Sequence, residues 1–373
     1  IFINKYAIRK ERAEMKENKK KVGILTFHYY QNQNFGGILQ SFAVLKLFQK
    51  NYENVELINY VPFKYKKIKN IMIRIFGKGF LEFVQTKLDV TFKINNEEDF
   101  KKINKKFDSF IVGSDQVWRS KWLQNEVRHY FFDFVDNNKK KIAYAASFGV
   151  DYWEGDEKLT EEVKPLIKRF DYISVREESG IGICKNTFGI DNVVCVLDPT
   201  LMIDREDYQI ILDDWQDKSH LKKKYIAHML LDDTEQLRNG SKKIANYLGA
   251  EINHIKGKSF NILGKTITLY NKVSQWLTYL KDAELVITDS FHCTVFSIIF
   301  HKKFVVVANS TRGITRLETL LGKVGLENRF FTNIDNVLES GILNQEIDYQ
   351  EVDKNLEVYR KYSMDFLKKA LED

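Results

Sequence analysis

The sequence VGILTF at Val22–Phe27 is a short apolar run, and such a run is typical of a buried parallel strand. After a polar loop, the apolar residues of Ile38–Lys50 fall near helical spacing, and Val55–Ile58 predicts a second strand. Further strands are predicted at Phe110–Val112, Lys141–Ala145, Tyr172–Val175 and Val193–Leu197, with a helix at Leu159–Phe170. Strands that alternate with helices predict a mostly parallel sheet that is covered on both faces.

The same alternation begins again after the sequence Asp-Pro-Thr at 198–200. Strands are predicted at Tyr225–Leu230, Leu285–Thr288 and Phe304–Val307, and helices at Glu235–Leu248, Ser274–Lys281 and Ser290–Phe300. We therefore predict an α/β protein with two Rossmann-like domains, whose mostly parallel sheets face each other across a cleft. The predicted units are a basic extension at 1–20, domains at 21–202 and 203–345, and a helix at 346–373 that packs back on both.

The composition argues against several classes of protein. The 373 residues carry a formal net charge of +7, which is modest for this length and does not indicate nucleic-acid binding. Neither a membrane-spanning apolar run nor a signal peptide is recognisable, so we expect a cytoplasmic protein. The three cysteines form no C-x-x-C pair, and we predict neither a metal site nor a disulfide framework.

A basic segment at Lys64–Gly79 differs from the rest of the chain. It carries six Lys or Arg residues and no acidic residue, and its apolar residues fall on one helical face. Such a helix can lie on an anionic membrane, so peripheral contact with the inner face of the membrane is one interpretation. A surface helix packed on its own domain is the alternative, and it is favoured.

The strongest local signal for a functional site is the sequence LVITDSFH at Leu285–His292. A buried strand ends at Thr288, and Asp289 or Ser290 is a good N-cap for the helix that follows. His292 then lies in the first turn, beside backbone N–H groups that attract a phosphate or a carboxylate. A histidine in this position suits general acid–base chemistry near neutral pH. The alternative is a histidine that only caps or packs at the start of the helix.

Arginines follow two of the predicted strands at the edge where ligands of α/β proteins collect. Arg312 and Arg316 follow one strand, and Arg176 directly follows another. Because the guanidinium group binds carboxylate and phosphate oxygens in a two-pronged geometry, these arginines are candidates for an anionic ligand. For Arg176 the alternative is a structural ion pair with Glu177 or Glu178.

The sequence IVGSDQVW at 111–118 runs from a strand into small and polar residues. Ser114, Asp115 and Gln116 can donate or accept hydrogen bonds with sugar hydroxyls, and Trp118 can pack on a sugar ring. Capping of a turn by the serine and the aspartate is the alternative.

The first loop, HYYQNQNFGG at 28–37, places two glycines at the entrance of a helix, where the backbone can approach a ligand closely. Asn34 and Gly36 are the candidate contacts in this loop. It is neither a G-x-G-x-x-G motif nor a P-loop, so nucleotide binding is not specifically indicated.

Six segments follow one another along the chain in a fixed order. They are KVGILTF…NFGGILQSFAVLK at 21–46, FDSFIVGSDQVW at 107–118, KKIAYAASFG at 140–149, FDYISVREESG at 170–180, VLDPTL at 196–201 and ITDSFHCTVFSIIF at 287–300. Each segment alone is a weak signal, but together they resemble the polysaccharide pyruvyl transferase family from about Lys21 to Phe330. Cys293 stands where this family usually has glycine, and Gly37 where alanine is common.

The resemblance implies two Rossmann-like domains arranged as in GT-B glycosyltransferases, with phosphoenolpyruvate as donor and no cofactor. It implies that a pyruvate ketal forms across two hydroxyls of a sugar, in a polymeric or lipid-linked glycan of the bacterial cell surface. The resemblance also implies catalytic roles for His292 and Arg176. On the donor side we expect Arg312, Arg316, Ser290 and Asp289, and on the acceptor side Ser114, Asp115, Gln116, Asn34 and Gly36.

Two other functions fit the same sequence. A glycosyltransferase that uses a nucleotide-sugar would share the predicted fold. A non-catalytic protein that binds a glycan or a membrane surface would use the basic N-terminal part and Lys64–Gly79.

Overall fold

Short apolar segments form the strands of the fold, as their sequence pattern predicts. The computed structural model describes residues 20–62, 77–217, 219, 223–232, 234–262, 265–309 and 313–372. The N-terminal half contains β1 (Lys21–Leu25), α1 (Phe35–Gln49), β2 (Asn54–Leu57), α2 (Lys78–Lys87), α3 (Glu97–Lys106), β3 (Ser109–Val112), α4 (Ser120–Leu123), β4 (Lys140–Ala146), α5 (Glu157–Ile167), β5 (Tyr172–Val175), α6 (Glu178–Ile183) and β6 (Val193–Cys195).

The C-terminal half repeats the alternation of strands and helices. It contains α7 (Gln209–Leu212), β7 (Tyr225–Met229), α8 (Glu235–Leu248), β8 (Glu251–His254), β9 (Gly257–Ile262), β10 (Lys265–Tyr270), α9 (Val273–Asp282), β11 (Leu285–Thr288), α10 (Phe291–Ile299), β12 (Phe304–Val307), α11 (Thr315–Val324), β13 (Phe330–Phe331) and α12 (Asn336–Glu339). A long final helix, α13 (Tyr349–Glu372), ends the described chain.

Each half is organised around one parallel sheet. The N-terminal sheet has the strand order β2-β1-β3-β4-β5-β6, and all its neighbouring strands pair in parallel. The C-terminal sheet has the order β13-β12-β11-β7-β8 and is also parallel throughout. Among the described residues, the strands that pair in antiparallel fashion are β9 and β10, which form a hairpin. The predicted α/β class with two mostly parallel sheets is confirmed.

The first helix, α1, is buried on nearly every side because it lies between the two halves. It covers the N-terminal sheet and also contacts α10 of the C-terminal half. At its first residue, the ring of Phe35 stacks on Trp276, with 5.1 Å between the ring centroids and 11° between the planes. This apolar contact holds the carboxyl ends of the two sheets near each other.

The last helix, α13, contacts both halves. Near its start, the hydroxyl of Tyr349 donates a hydrogen bond to the carbonyl of Lys302, over 2.5 Å. Two turns from its end, the hydroxyl of Ser363 accepts a hydrogen bond from the backbone N–H of Leu197, over 3.0 Å. The helix therefore spans the junction between the N-terminal and C-terminal halves.

Some predictions fall where the structure gives no description. Residues 1–19 of the basic extension and all of the segment Lys64–Gly79 except residues 77–79 lie outside the described residues. The predicted domain boundary between residues 202 and 203 falls in the interval between β6 and β7, and the domain bounds stay a prediction. Among the described residues, no helix combines the length and the apolar character that crossing a membrane requires.

Trp118 belongs to the core, and its predicted packing on a sugar ring is wrong. Its side chain is 0% exposed, stacks on Phe131 with 5.0 Å between ring centroids, and donates a hydrogen bond to the carbonyl of Tyr130. We expect Trp118→Ala to lower the free energy of unfolding by about 3–5 kcal/mol, because a large buried side chain is lost. Urea denaturation measures this change.

The matched control is Tyr152→Ala, since Tyr152 is 59% exposed. We expect this substitution to change the free energy of unfolding by about 0.5 kcal/mol or less. Equal stability losses in the two variants would contradict a core role for Trp118.

Candidate active site

A cavity of about 330 Å³ lies at the carboxyl ends of both sheets, where the two halves meet. The N-terminal half contributes the loop before α1, the loop after β3, and Trp122. The C-terminal half contributes the start of α10 and residues from the loop after β7 and from α11. Ligands of open α/β sheets bind at this edge, so the cavity is the candidate active site.

His292 lies in the first turn of α10 and lines the cavity with 8% of its surface exposed. The imidazole packs directly on the backbone of Gly36 in α1, and a Cβ at Gly36 would overlap its Nδ1 atom. Gly36 is therefore needed for the approach of the histidine ring as well as for lining the cavity. The structure thus brings together two predicted residues from opposite halves.

The other ring nitrogen of His292 faces a buried carboxylate. The distance from Nε2 of His292 to Oδ2 of Asp198 is 3.6 Å, which is an ion-pair distance and longer than a hydrogen bond. Asp198 follows β6 in the N-terminal half, and Oδ1 of Asp198 accepts hydrogen bonds from the hydroxyl and the N–H of Thr200. The pair of His292 and Asp198 therefore joins the two halves across the site.

Asp198 is ionised at neutral pH although its side chain is completely buried. Burial alone would raise its pKa, but His292, Arg176 and the hydroxyl of Thr200 together outweigh burial and hold the pKa well below its usual range. Asp198 was not among the predicted site residues. A usable signal was its position as the first polar residue after a buried strand, at the edge where ligands collect.

Arg176 lies behind the cavity wall, where it pairs with buried carboxylates; the structure favours the alternative of a structural ion pair over the predicted contact with an anionic ligand. Its guanidinium lies 2.8 Å from Asp198, 3.4 Å from Asp115 and 3.9 Å from Glu177. It also lies 4.4 Å above the ring of Phe291, and it is not among the described residues that line the cavity. Arg176 is therefore a positioning residue for the carboxylates.

Arg316 is the arginine that the structure places in the cavity wall. It lies in the first turn of α11, is 8% exposed, and has its guanidinium 6.0 Å from the ring of Phe291. Burial and the nearby charge of Arg176 lower the pKa of Arg316 to about 10, so it stays protonated at neutral pH. Arg312, the other predicted donor ligand, lies outside the described residues.

Asp289 and Ser290 both line the cavity, and Ser290 is the N-cap residue of α10, one of the two predicted candidates. The side chain of Ser290 accepts no capping hydrogen bond from the described residues. Asp289 instead accepts hydrogen bonds from the N–H of Leu231 and the amide of Asn309, over 2.7 and 2.8 Å. The aspartate therefore fixes the loop after β7, and the start of α10 faces the cavity without a side-chain cap.

On the acceptor side, the structure brings Asp115, Gln116, Asn34 and Gly36 into the cavity wall, but Ser114 is fully buried. The hydroxyl of Ser114 donates a hydrogen bond of 2.8 Å to Asp198, so its predicted contact with an acceptor is replaced by a supporting role. Asn34 also caps α1, because its side chain accepts a hydrogen bond from the N–H of Gly37.

Two residues near the cavity, Trp122 and Arg119, were not predicted from the sequence. Trp122 lines the cavity, and the guanidinium of Arg119 lies 4.5 Å from its ring. Arg119 also donates hydrogen bonds to Gln116 and to Glu154, so it positions the polar wall. An aromatic side chain beside an amide and a carboxylate is a suitable surface for a sugar.

Cys293 is not available as a nucleophile. Its side chain is completely buried, and burial raises the pKa of the thiol to about 12. The neutral thiol that results is a poor nucleophile.

Several solved structures have a similar fold. A Listeria monocytogenes protein described as a UDP-N-acetylglucosamine 2-epimerase aligns with a TM-score of 0.58 at 11% identity, over 95% of this chain and 97% of that chain. Staphylococcus aureus MnaA in its complex with UDP aligns with a TM-score of 0.53 at 11% identity, over 95% and 97%. A UDP-GlcNAc 2-epimerase from Neisseria meningitidis, bound to UDP-GlcNAc, gives 0.52 at 10% identity, over 94% and 100%. These identities show the fold alone, and the predicted GT-B-like arrangement is confirmed.

The fold and the cleft between its halves thus define a GT-B-like protein with one charged site at the junction. Residues 34–311, more than half of the chain, match the polysaccharide pyruvyl transferase family, and the chain belongs to that family. None of the curated protein sequences matches the chain. Family membership makes the protein a transferase of polysaccharide biosynthesis.

The charge of Asp198 gives a pH-dependent test of the site. Asp198→Asn should lower the free energy of unfolding at pH 7 by about 3–5 kcal/mol, because the buried guanidinium of Arg176 loses a charged partner. Because folding lowers the pKa of Asp198, its stabilisation is complete above about pH 4 and is lost as the pH falls further. The difference between wild type and variant should therefore shrink between pH 5 and pH 3.

Urea denaturation at pH 7, 5 and 3 measures this difference, and the exposed Asp151→Asn serves as the control. A stability difference that stays constant over this range would contradict an ionised Asp198.

Proposed function

We propose that this protein transfers the pyruvyl group of phosphoenolpyruvate to two hydroxyls of a sugar in a bacterial cell-surface glycan, forming a ketal. The observation that carries the proposal is the meeting of His292, backed by the ionised Asp198, with the cationic Arg316 in one cavity. A base and an anion-binding group in one cleft are what a reaction between a hydroxyl and an anionic donor requires. Membership of the pyruvyl transferase family supports the same reaction.

The donor carries a phosphate and a carboxylate, and the C-terminal half of the cavity offers matching positive groups. Arg316 presents a guanidinium to the cavity. The first turn of α10 adds backbone N–H groups at the positive end of a helix dipole. We assign the donor to this side, with Arg316 as its principal ligand.

The reaction begins with transfer of a proton to the methylene carbon of phosphoenolpyruvate, which leaves an oxocarbenium-like centre at C2. One sugar hydroxyl attacks C2 and loses its proton, and the C2–O bond to phosphate breaks. The second hydroxyl then attacks C2 and loses its proton, which closes the ketal. The products are the ketal and inorganic phosphate. Of the two protons that the hydroxyls lose, one balances the proton added to the methylene carbon and the other leaves with phosphate. Positive groups around the donor stabilise the charge that moves onto phosphate.

His292 is the group that accepts a proton from an attacking hydroxyl or delivers one to the departing phosphate. The ionised Asp198, 3.6 Å away, stabilises the imidazolium that forms when the ring takes up a proton. Arg176 keeps Asp198 in place by a hydrogen bond of 2.8 Å. This arrangement couples the base in the C-terminal half to a fixed charge in the N-terminal half.

The acceptor lies against the N-terminal wall of the cavity in this proposal. Asp115, Gln116 and Asn34 provide hydrogen-bonding groups for sugar hydroxyls, and Trp122 provides an aromatic face for the ring. Holding both hydroxyls near C2 converts an encounter of two molecules into a positioned reaction.

The reaction is tested by mixing the purified protein with phosphoenolpyruvate and a panel of bacterial glycan acceptors. We expect acceptor-dependent release of phosphate, together with the mass gain of one pyruvate ketal in the acceptor, measured by mass spectrometry. Stabilisation of the protein against heat by UDP-sugars but not by phosphoenolpyruvate would overturn the donor assignment and favour a nucleotide-sugar glycosyltransferase.

Substitution of His292 separates its role from donor binding. His292→Gln should lower turnover by about 10²–10⁴-fold, since a general acid–base group is lost, and should change the dissociation constant for phosphoenolpyruvate by less than about threefold. Calorimetry measures binding, and phosphate release measures turnover. Activity near that of the wild type in this variant would contradict the catalytic role of His292.

Arg316→Gln, unlike His292→Gln, should weaken the binding of phosphoenolpyruvate. We expect the dissociation constant for phosphoenolpyruvate to rise at least about tenfold, because a charge-assisted contact with the anion is lost. Arg205→Gln is the matched control, because Arg205 is exposed and lies outside the cavity wall. Equal affinity in Arg316→Gln and wild type would remove Arg316 from the donor site.

A further inference from the structure

A second cavity, of about 910 Å³, lies beside the candidate active site in the C-terminal half. Its floor is formed at the carboxyl ends of β7 and β8, and the hairpin β9–β10 forms one side. Leu231 and Lys256 line both this cavity and the active-site cavity, so the two spaces adjoin at these residues. The predicted catalytic and binding residues leave this second space without a role.

The wall of the second cavity is positively charged. Arg238 comes from α8, Lys256 from the turn between β8 and β9, and Lys258 from β9. No aspartate or glutamate occurs among the described residues that line the cavity. Three cations from three different elements therefore face one space, and such a wall attracts a ligand that carries more than one negative charge.

Two histidines add hydrogen-bonding capacity to the same wall. Nδ1 of His228 lies 3.1 Å from Nδ1 of His254, so one of these nitrogens donates and the other accepts. His228 is buried and its Nε2 lies 3.1 Å from the hydroxyl of Ser241 in α8. The buried histidine thus fixes the ring of His254, which lines the cavity from the end of β8.

The size and the remaining lining of the cavity narrow the class of ligand. The space is larger than the active-site cavity, and a single inorganic phosphate would leave most of it empty. Phe260, which is 51% exposed, and Leu230 provide apolar surface beside the cations. The cavity therefore suits a group that combines several negative charges with an organic substituent.

We propose that the second cavity binds the diphosphate group of an activated sugar acceptor, while the sugar itself lies in the active-site cavity. The inference rests on the proposed function, because it treats the active-site cavity as the place where the sugar reacts. Arg238, Lys256 and Lys258 bind the diphosphate oxygens, and His254 donates or accepts a hydrogen bond at the same group. Lys256 stands at the junction and contacts the end of the diphosphate nearest the sugar.

Calorimetry with inorganic pyrophosphate as the probe tests this site in the absence of any reaction. We expect the double variant Arg238→Gln/Lys258→Gln to raise the dissociation constant at least tenfold relative to wild type. The control pair Lys224→Gln/Lys242→Gln removes the same number of charges from exposed positions outside the cavity and should change it by less than threefold. An unchanged affinity in the first pair, or an equal loss in both pairs, would overturn the proposal.

The Arg316→Gln variant shows whether pyrophosphate binds in the second cavity or at the donor site. Pyrophosphate should bind this variant within threefold of wild type, whereas phosphoenolpyruvate should bind the Arg238→Gln/Lys258→Gln variant within threefold. A loss of pyrophosphate binding in Arg316→Gln alone would place the anion in the active-site cavity and overturn the second site. Failure of phosphoenolpyruvate to bind any protein would count against the proposed function, while the pyrophosphate result would still decide the diphosphate site.

Two soluble diphosphates then distinguish the source of the group. Dimethylallyl diphosphate represents an isoprenoid carrier, and uridine diphosphate represents a nucleotide-sugar. If one of them binds more tightly than pyrophosphate, and the Arg238→Gln/Lys258→Gln variant loses this binding, its organic part is the substituent that lies next to Phe260. Equal binding of both, with the same loss in the variant, supports the shared diphosphate chemistry, and binding of neither overturns the proposal.

Discussion

The buried carboxylate of Asp198 is the interaction on which the site depends. A completely buried charge is stable only when other charges and hydrogen bonds replace water, and here Arg176, Ser114 and Thr200 supply them. With its charge held by these groups, Asp198 presents a fixed negative potential to His292. The other features of the site follow from this arrangement, including the withdrawal of Arg176 from the cavity wall.

Arg176 and Arg316 show why the site could be predicted only in part. Both arginines occur near the carboxyl end of a predicted strand, and the sequence gives them the same affinity for anions. Their difference comes from Asp115, 61 residues before Arg176, and Asp198, 22 residues after it. Folding brings these carboxylates to Arg176, and no local pattern reports such distances. The position of His292 at the cavity could be predicted because its signal is local: a strand end, a helix start and a titratable ring.

The fold was predictable wherever apolar residues are continuous in sequence. The bounds of β5, β11, β12 and α8 equal the predicted ones. The strands β8, β9 and β10 were missed because their sequences contain no continuous apolar run; β8, for example, reads EINH and has exposed or half-exposed residues throughout. Since β8 and the hairpin form much of the second cavity, the same lack of signal hid that cavity from sequence reasoning.

The close contact between Gly36 and the imidazole of His292 has a further consequence. One partner belongs to the N-terminal half and the other to the C-terminal half, as do Asp198 and His292. The site is therefore complete only when the two halves are in contact, because each half alone carries only part of it. A small rotation between the halves would separate His292 from Asp198 without breaking any strand, so the geometry of the site depends on the junction as much as on either sheet.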